Sequence, residues 1–318
     1  QLNSTSPTAT TDLRTGGNLT ITGAGNLNST YAGVITGAAS SVLNVNTTGK
    51  VYLSGDDSGF AGNINVTNGT LNASGSNSVL GTGTVNVSSA GNVQLQGGIS
   101  VSNAFSLAGT GTSGNGALQN FAGSNTVAGA ITIGGPARIQ SDAGTLTATS
   151  TVSAGANAVS IGGNGNIALN GVVSGSGGLT KDGTGTLFLA GANTFTGPTT
   201  ISAGAIVANA NNTFNNSAAL TIASGASLGL NGLAASVGSL SGAGVVDFGS
   251  GGTLNLTGGS GTFAGTFSGS GTIFIGPGTT LTLGASFNNP NIPDVLAGGT
   301  LGANGTAVTQ TQTRGDIS

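Results

Sequence analysis

The acids and bases that could do chemistry are few enough to weigh one at a time. Asp56 and Asp57, with Lys50 just upstream, form the densest charged group of the chain. A glycosidase or polygalacturonase needs two carboxylates converging on one sugar. Adjacent residues on extended backbone point to opposite faces, so this pair reads as a solvated corner rather than a catalytic dyad. Serines are plentiful, but the chain has no His to act as base and no Cys to supply a thiolate. Lys50 and Lys181 fall in turns of the pattern described below, and Arg14, Arg138 and Arg314 are scattered. Zinc would lack His and Cys ligands. Gly162-Gly163-Asn164-Gly165-Asn166 resembles a fragment of a calcium-binding Gly-Gly-x-Gly-x-Asp repeat without its Asp, and it reads as a turn. No catalytic residue, cofactor or metal site is expected.

Two short motifs remain. Arg314-Gly315-Asp316 spells the integrin-binding tripeptide in a tail, a match that a Gly-rich chain produces easily. Asn-x-Ser/Thr occurs at Asn3, Asn46, Asn65, Asn86 and Asn255, several of them within expected strands, so glycosylation is not indicated.

The elements that position these residues repeat along the chain. In one segment Gly185, Leu187 and Leu189 lead to Gly191, then Phe195 and Gly197, then Ile201 and Gly204. An earlier segment runs Gly49-Lys50-Val51-Tyr52-Leu53 to Gly55, then Phe60 and Gly62, then Val66 and Gly69, with one extra residue before its aromatic. Weaker copies run from Gly17 through Tyr31 to Ile35 and from Gly252 through Phe263 to Phe267. Within each copy the runs alternate, as in Thr-Leu-Asn-Leu-Thr and Asn-Ile-Asn-Val-Thr. Period two puts Leu, Val and Ile on one face and Thr, Asn and Ser on the other, the pattern of a half-buried strand. Helical periodicity is nearly absent, and glycine interrupts every candidate.

Strands of about four to six residues separated by Gly corners fit a sandwich or a solenoid. Repetition of whole multi-strand units favours the solenoid, because each coil then pairs with equivalent strands above and below. At roughly 20 residues per coil the chain holds about 15 coils. The aromatics Tyr31, Phe60, Phe195 and Phe263 stand two residues before a Gly in each copy and are expected to stack in the core at equivalent corners, rather than form a ligand-binding ladder.

Composition narrows the function. The chain has 318 residues and 62 glycines, yet 36% of residues are hydrophobic, which argues against disorder. Five Lys or Arg face eight Asp, with no Glu. A surface of hydroxyls, amides and backbone repels its own kind weakly and favours association. Nucleic-acid binding lacks a basic patch, and no apolar stretch reaches the length of a membrane-spanning helix. Zero Cys excludes a disulfide framework. A start at Gln1 fits a mature export product whose signal was removed.

Leu179 to Val207 closely resembles the autotransporter-associated β-strand repeat, also called the passenger-associated transport repeat. The match rests on Leu179, Thr180, Lys181, Gly183, Gly185, Thr186, Leu187, Leu189, Gly191, Asn193, Phe195, Gly197, Thr199, Ile201 and Gly204. The resemblance implies a β-helix exported to the exterior of a diderm bacterium. Autotransporters also carry a C-terminal membrane β-barrel, and the end of this chain shows no such region. A cleaved passenger, or a repeat reused behind another export route, is expected.

The expected fold is all-β, a single-stranded right-handed parallel β-solenoid (β-helix) over 12–306, flanked by a tail or strand at 1–11 and another at 307–318. The expected function is that of a non-enzymatic extracellular structural protein whose partners are copies of itself, in a cell-surface fibre or layer. The alternative is an adhesin passenger binding surface glycans or host matrix. A polysaccharide-degrading enzyme would need clustered acids that the sequence does not assemble.

Overall fold

The computed structural model describes residues 2–23, 28–211, 213–214, 217–284, 294–295 and 298–303. It divides into two units, Gln1–Gly171 and Val172–Ser318. Among the described residues the chain is strand and turn apart from one short 3₁₀ turn at Thr112–Gly114, and the strands pair in parallel. Parallel pairing of successive passes of one chain excludes an antiparallel sandwich and makes each unit a β-solenoid.

In the first unit Val42–Leu53, Asn63–Ala73 and Val85–Gln96 each run along two sides of a coil. Register shifts near Asn46 and Asn68 mark the corner between those sides. A third side carries Ser100–Val101, Asn125–Val127, Thr145–Ala148 and Asn166–Leu169. Three sides enclose one core. Its columns follow from the alternation: Leu43, Ile64, Val85, Phe105, Ile131 and Val152 stack in register on one side. Val51, Leu71, Val93, Leu118, Ile139 and Ile161 stack on the next. These side chains are buried, and each contributes on the order of 2 kcal/mol of transfer free energy.

The second unit is built the same way. Thr199–Ile201, Leu220–Ile222 and Leu240–Gly242 stack on Leu179–Lys181, and Leu187, Ile206, Leu228, Val246 and Phe267 form an aliphatic and aromatic column.

The described coils of both units number about 13. The expectation of roughly 15 was for the whole chain; among the described coils most registers advance by 20 or 21 residues, and corner insertions lengthen some. The loop around Thr112–Gly114 is one: it lies between Val93 and its stacking partner Leu118.

Candidate functional site

The two best copies of the repeat show what the pattern builds. In one, Val51 and Leu53 lie beside Leu71 and Ala73; in the other, Leu187 and Leu189 lie beside Ile206 and Ala208. One copy is therefore one coil plus the strand that closes onto its own beginning. Leu187, Leu189, Phe195, Ile201 and Phe60 are buried. Gly69 and Gly204 share the tight corner before the closing strand, at φ of +81° and +66°. A Cβ there would lie 2.2 Å from Thr47 O in the first copy and 2.5 Å from Gly185 O in the second. Gly55, Gly62 and Gly197 instead meet a backbone carbonyl of the neighbouring coil at Cβ distances of 1.8, 2.2 and 2.0 Å. Gly185 opens the turn into its strand, and Gly191 follows that strand.

Lys181 is not a solvated turn residue. It ends Leu179–Lys181 in register with the inward-facing Ile201, and it is buried. Its Nζ donates to the carbonyls of Asp182 (2.7 Å), Gly183 (2.9 Å) and Ala203 (3.2 Å), so the ammonium replaces strand hydrogen bonding where the chain turns.

Asp57 corrects the reading of a solvated corner. Asp56 is exposed and accepts a hydrogen bond from Ser58 N at 3.1 Å, whereas Asp57 is 2% exposed. Asp57 Oδ1 accepts the Ile35 N–H of the preceding coil at 2.7 Å. Burial pushes its carboxyl from 3.8 up to about 7; the Ile35 hydrogen bond opposes the rise and the Asp56 charge adds to it. Counting from Gly55 and from Gly191, Asp57 occupies the place of Asn193. Asn193 Oδ1 accepts Val173 N at 2.7 Å, and its Nδ2 donates to Thr213 O at 3.2 Å. Both residues bind one coil to the next, and neither forms a dyad. Lys50 turns elsewhere.

It turns into a feature that the sequence reading missed. On the outward face of the first unit, side chains from five coils join in one polar row. Lys50 Nζ (3.5 Å) and Asn72 Nδ2 (3.3 Å) both donate to Gln94 Oε1. Gln94 Nε2 (2.8 Å) and Asn92 Nδ2 (3.3 Å) donate to Gln119 Oε1. Gln119 Nε2 and Gln140 Nε2 donate to Asp142, and Arg138 Nε donates to Gln140 Oε1 at 2.8 Å. Donors thus point one way, from the Lys50 ammonium toward the Asp142 carboxylate, a polarised chain whose links strengthen one another. Although they project outward, Asn72, Asn92, Gln94 and Gln119 are buried beneath their neighbours. Phe121 stands at the rim, 41% exposed, with Lys50 Nζ 5.3 Å from its ring centre. Next to Lys50 opens a cleft of about 440 Å³ lined by Asn28, Thr48, Lys50, Tyr52, Thr70 and Thr112.

A second row is simpler. Asn44, Asn65 and Asn86 each donate Nδ2 to the Oδ1 of the Asn one coil earlier, at 2.7, 2.9 and 2.9 Å, beginning at Asn18. Asn65 and Asn86 therefore spend their amides on the ladder, which accounts for two of the Asn-x-Ser/Thr matches structurally. Gly163 to Gly165 form the bend between Val159–Gly162 and Asn166–Leu169. Arg314-Gly315-Asp316 and the segment 307–318 lie outside the described residues.

The repeat aromatics are all buried, but they do not form one column. Tyr31 lies beside Leu53 and bonds Thr11 Oγ1 at 2.8 Å, while Phe60 bridges Gly37. Phe195 meets Phe214 edge-on at 5.9 Å, and Phe263 stacks on Phe267 at 4.8 Å. Among the described residues no helix is long and apolar enough to cross a membrane, which says nothing of a β-barrel.

The sequence pattern of the Passenger-associated-transport-repeat family matches residues 48–73 and 179–208. No curated protein and no solved structure matches the chain. The matched segments are the two in which Asp57 and Asn193, Gly69 and Gly204, and the closing strands superpose by position. Together with the parallel coils, they fit an autotransporter-associated repeat protein of the β-helix passenger kind.

Proposed function

We propose that the chain is a non-enzymatic, exported structural protein, a right-handed solenoid that joins copies of itself end to end in a surface fibre or layer. The supporting observation is the N-terminal face of the first unit. Thr10–Asp12 and Asn18–Gly23 pair on one side only among the described residues, with Val34–Thr36 and with Val42–Leu53. Gly17 O accepts Val42 N at 2.9 Å. Alternate residues of a strand turn their N–H and C=O groups to opposite sides, so Thr20 turns its own to the open edge. Asn18–Gly23 carries no charge and no Pro, the residues that ordinarily blunt such an edge. A second chain can continue the ladder there, with the segments 1–11 and 307–318 covering the joint.

Thr20→Pro tests this, because it removes a donor from the open edge and none from the pairing with Val42–Leu53. Under negative-stain microscopy and light scattering, the parent chain is expected to form polymers, and T20P to stay single with unchanged strand content by circular dichroism. A parent chain that is monomeric at all concentrations, or a T20P variant that polymerises equally, overturns the reading. A second reading, adhesion to glycans, is favoured by the polar row and cleft beside Lys50.

A further inference from the structure

We propose that the cleft beside Lys50 binds an acidic saccharide, with a sugar carboxylate on the Lys50 ammonium and the sugar ring against Tyr52. The inference rests on the adhesion reading, not on self-assembly. The size suits a sugar unit or two, since ligand sites start at roughly 300 Å³ and this cleft measures about 440 Å³. Its lining is chemically narrow. Thr48 and Thr70 supply hydroxyls, Thr112 supplies a hydroxyl oxygen that can accept, Asn28 supplies an amide, and no aliphatic side chain larger than these borders the space. Such a wall suits a ligand dense in hydroxyl groups and gives a lipid or apolar peptide nothing to bury against. Tyr52 is half-buried and offers the one aromatic surface of the cleft.

The charge selects the acid. Lys50 makes a long 3.5 Å hydrogen bond to Gln94 and lies over Phe121, and among the described residues no carboxylate pairs with it. Both contacts fix the ammonium without neutralising it. The Gln94 and Phe121 contacts hold the side chain rather than leaving it free to sweep. The loop carrying Thr112 is anchored over the cleft by its Oγ1 bond to Gly69 O at 3.3 Å, which fixes the far wall before any ligand arrives.

Titration calorimetry of the purified chain with oligogalacturonate and with a neutral glucose oligosaccharide of equal length tests the assignment. Saturable binding of the uronate is expected, weaker in high salt, with the neutral sugar weaker still. Losing one charge-assisted contact, Lys50→Gln should weaken uronate binding about tenfold or more while leaving the neutral sugar unchanged. Tyr52→Ala should weaken both sugars, and Arg14→Gln, a cation outside the cleft, should alter neither. Equal affinity for acidic and neutral sugars, or uronate binding untouched by Lys50→Gln at an unchanged melting temperature, overturns the site. Saturable binding of some other glycan that is indifferent to Lys50→Gln and Tyr52→Ala also overturns the site, yet leaves the adhesion reading standing. No saturable binding to any member of a glycan panel removes both.

Discussion

The two matched repeats, 48–73 and 179–208, solve one structural problem with different residues. Each needs a side chain inside the corner that accepts an N–H from the preceding coil. Asn193 does so and also donates its Nδ2 to Thr213 O. Asp57 accepts equally well at 2.7 Å but can donate only when protonated. Burial then lifts its carboxyl to about 7, so the first copy carries a titration that the second lacks. The corner tolerates either side chain because both have the same shape. Only the amide is neutral at every pH.

The largest effect expected is therefore that of Asp57→Asn. The folded protein holds the Asp57 proton more tightly than the unfolded chain, whose carboxyl titrates near 3.8. Stability from this group is full below that value, falls as pH rises toward about 7, and stays low above it. At 1.36 kcal/mol per pKa unit, the loss by pH 8 is about 4 kcal/mol. Urea unfolding should show D57N more stable than the parent at pH 8 and equal to it below pH 4. A parallel pH dependence in the two chains would break the equivalence of Asp57 and Asn193.

The shared glycine corner comes next. Gly69→Ala and Gly204→Ala should each cost about 3 kcal/mol, since both force a Cβ onto a backbone carbonyl at positive φ. Equal melting-temperature losses would confirm one geometry in both copies. Gly225→Ala, at φ +81° with nothing within 4 Å of the added Cβ, should cost only about 1 kcal/mol. Between these falls Asn193→Ala at about 2 kcal/mol, the cost of leaving Val173 N–H buried and unpaired. Hydrogen exchange at Val173 would speed up in that variant, and an unchanged rate would remove Asn193 from its assigned role.

Much of the coil was legible because alternation is a local property. Leu43, Val45, Ile64 and Val66 announce their inward face within a few residues, and the core columns repeat that choice. The corner acid was harder. The rule that neighbours face opposite ways is sound for straight strand, but Gly55 to Phe60 is a turn, and aligning Asp57 on Asn193 was the signal that opposed it. The polar row was not legible as a row at all. Lys50, Asn72, Gln94, Gln119 and Asp142 sit on separate coils, and their spacing varies with each corner insertion. Lys181 looked like a turn residue, and only the carbonyls gathered around its Nζ account for a buried ammonium.

Composition and period alone determined an all-β chain with aliphatic side chains inside and few charges outside, and they favoured parallel coils; the strand pairing itself excluded a sandwich. Which outward residues meet across coils was decided by the stacking itself. Side-chain direction follows from the nearest backbone, whereas register between coils depends on the length of every loop between them.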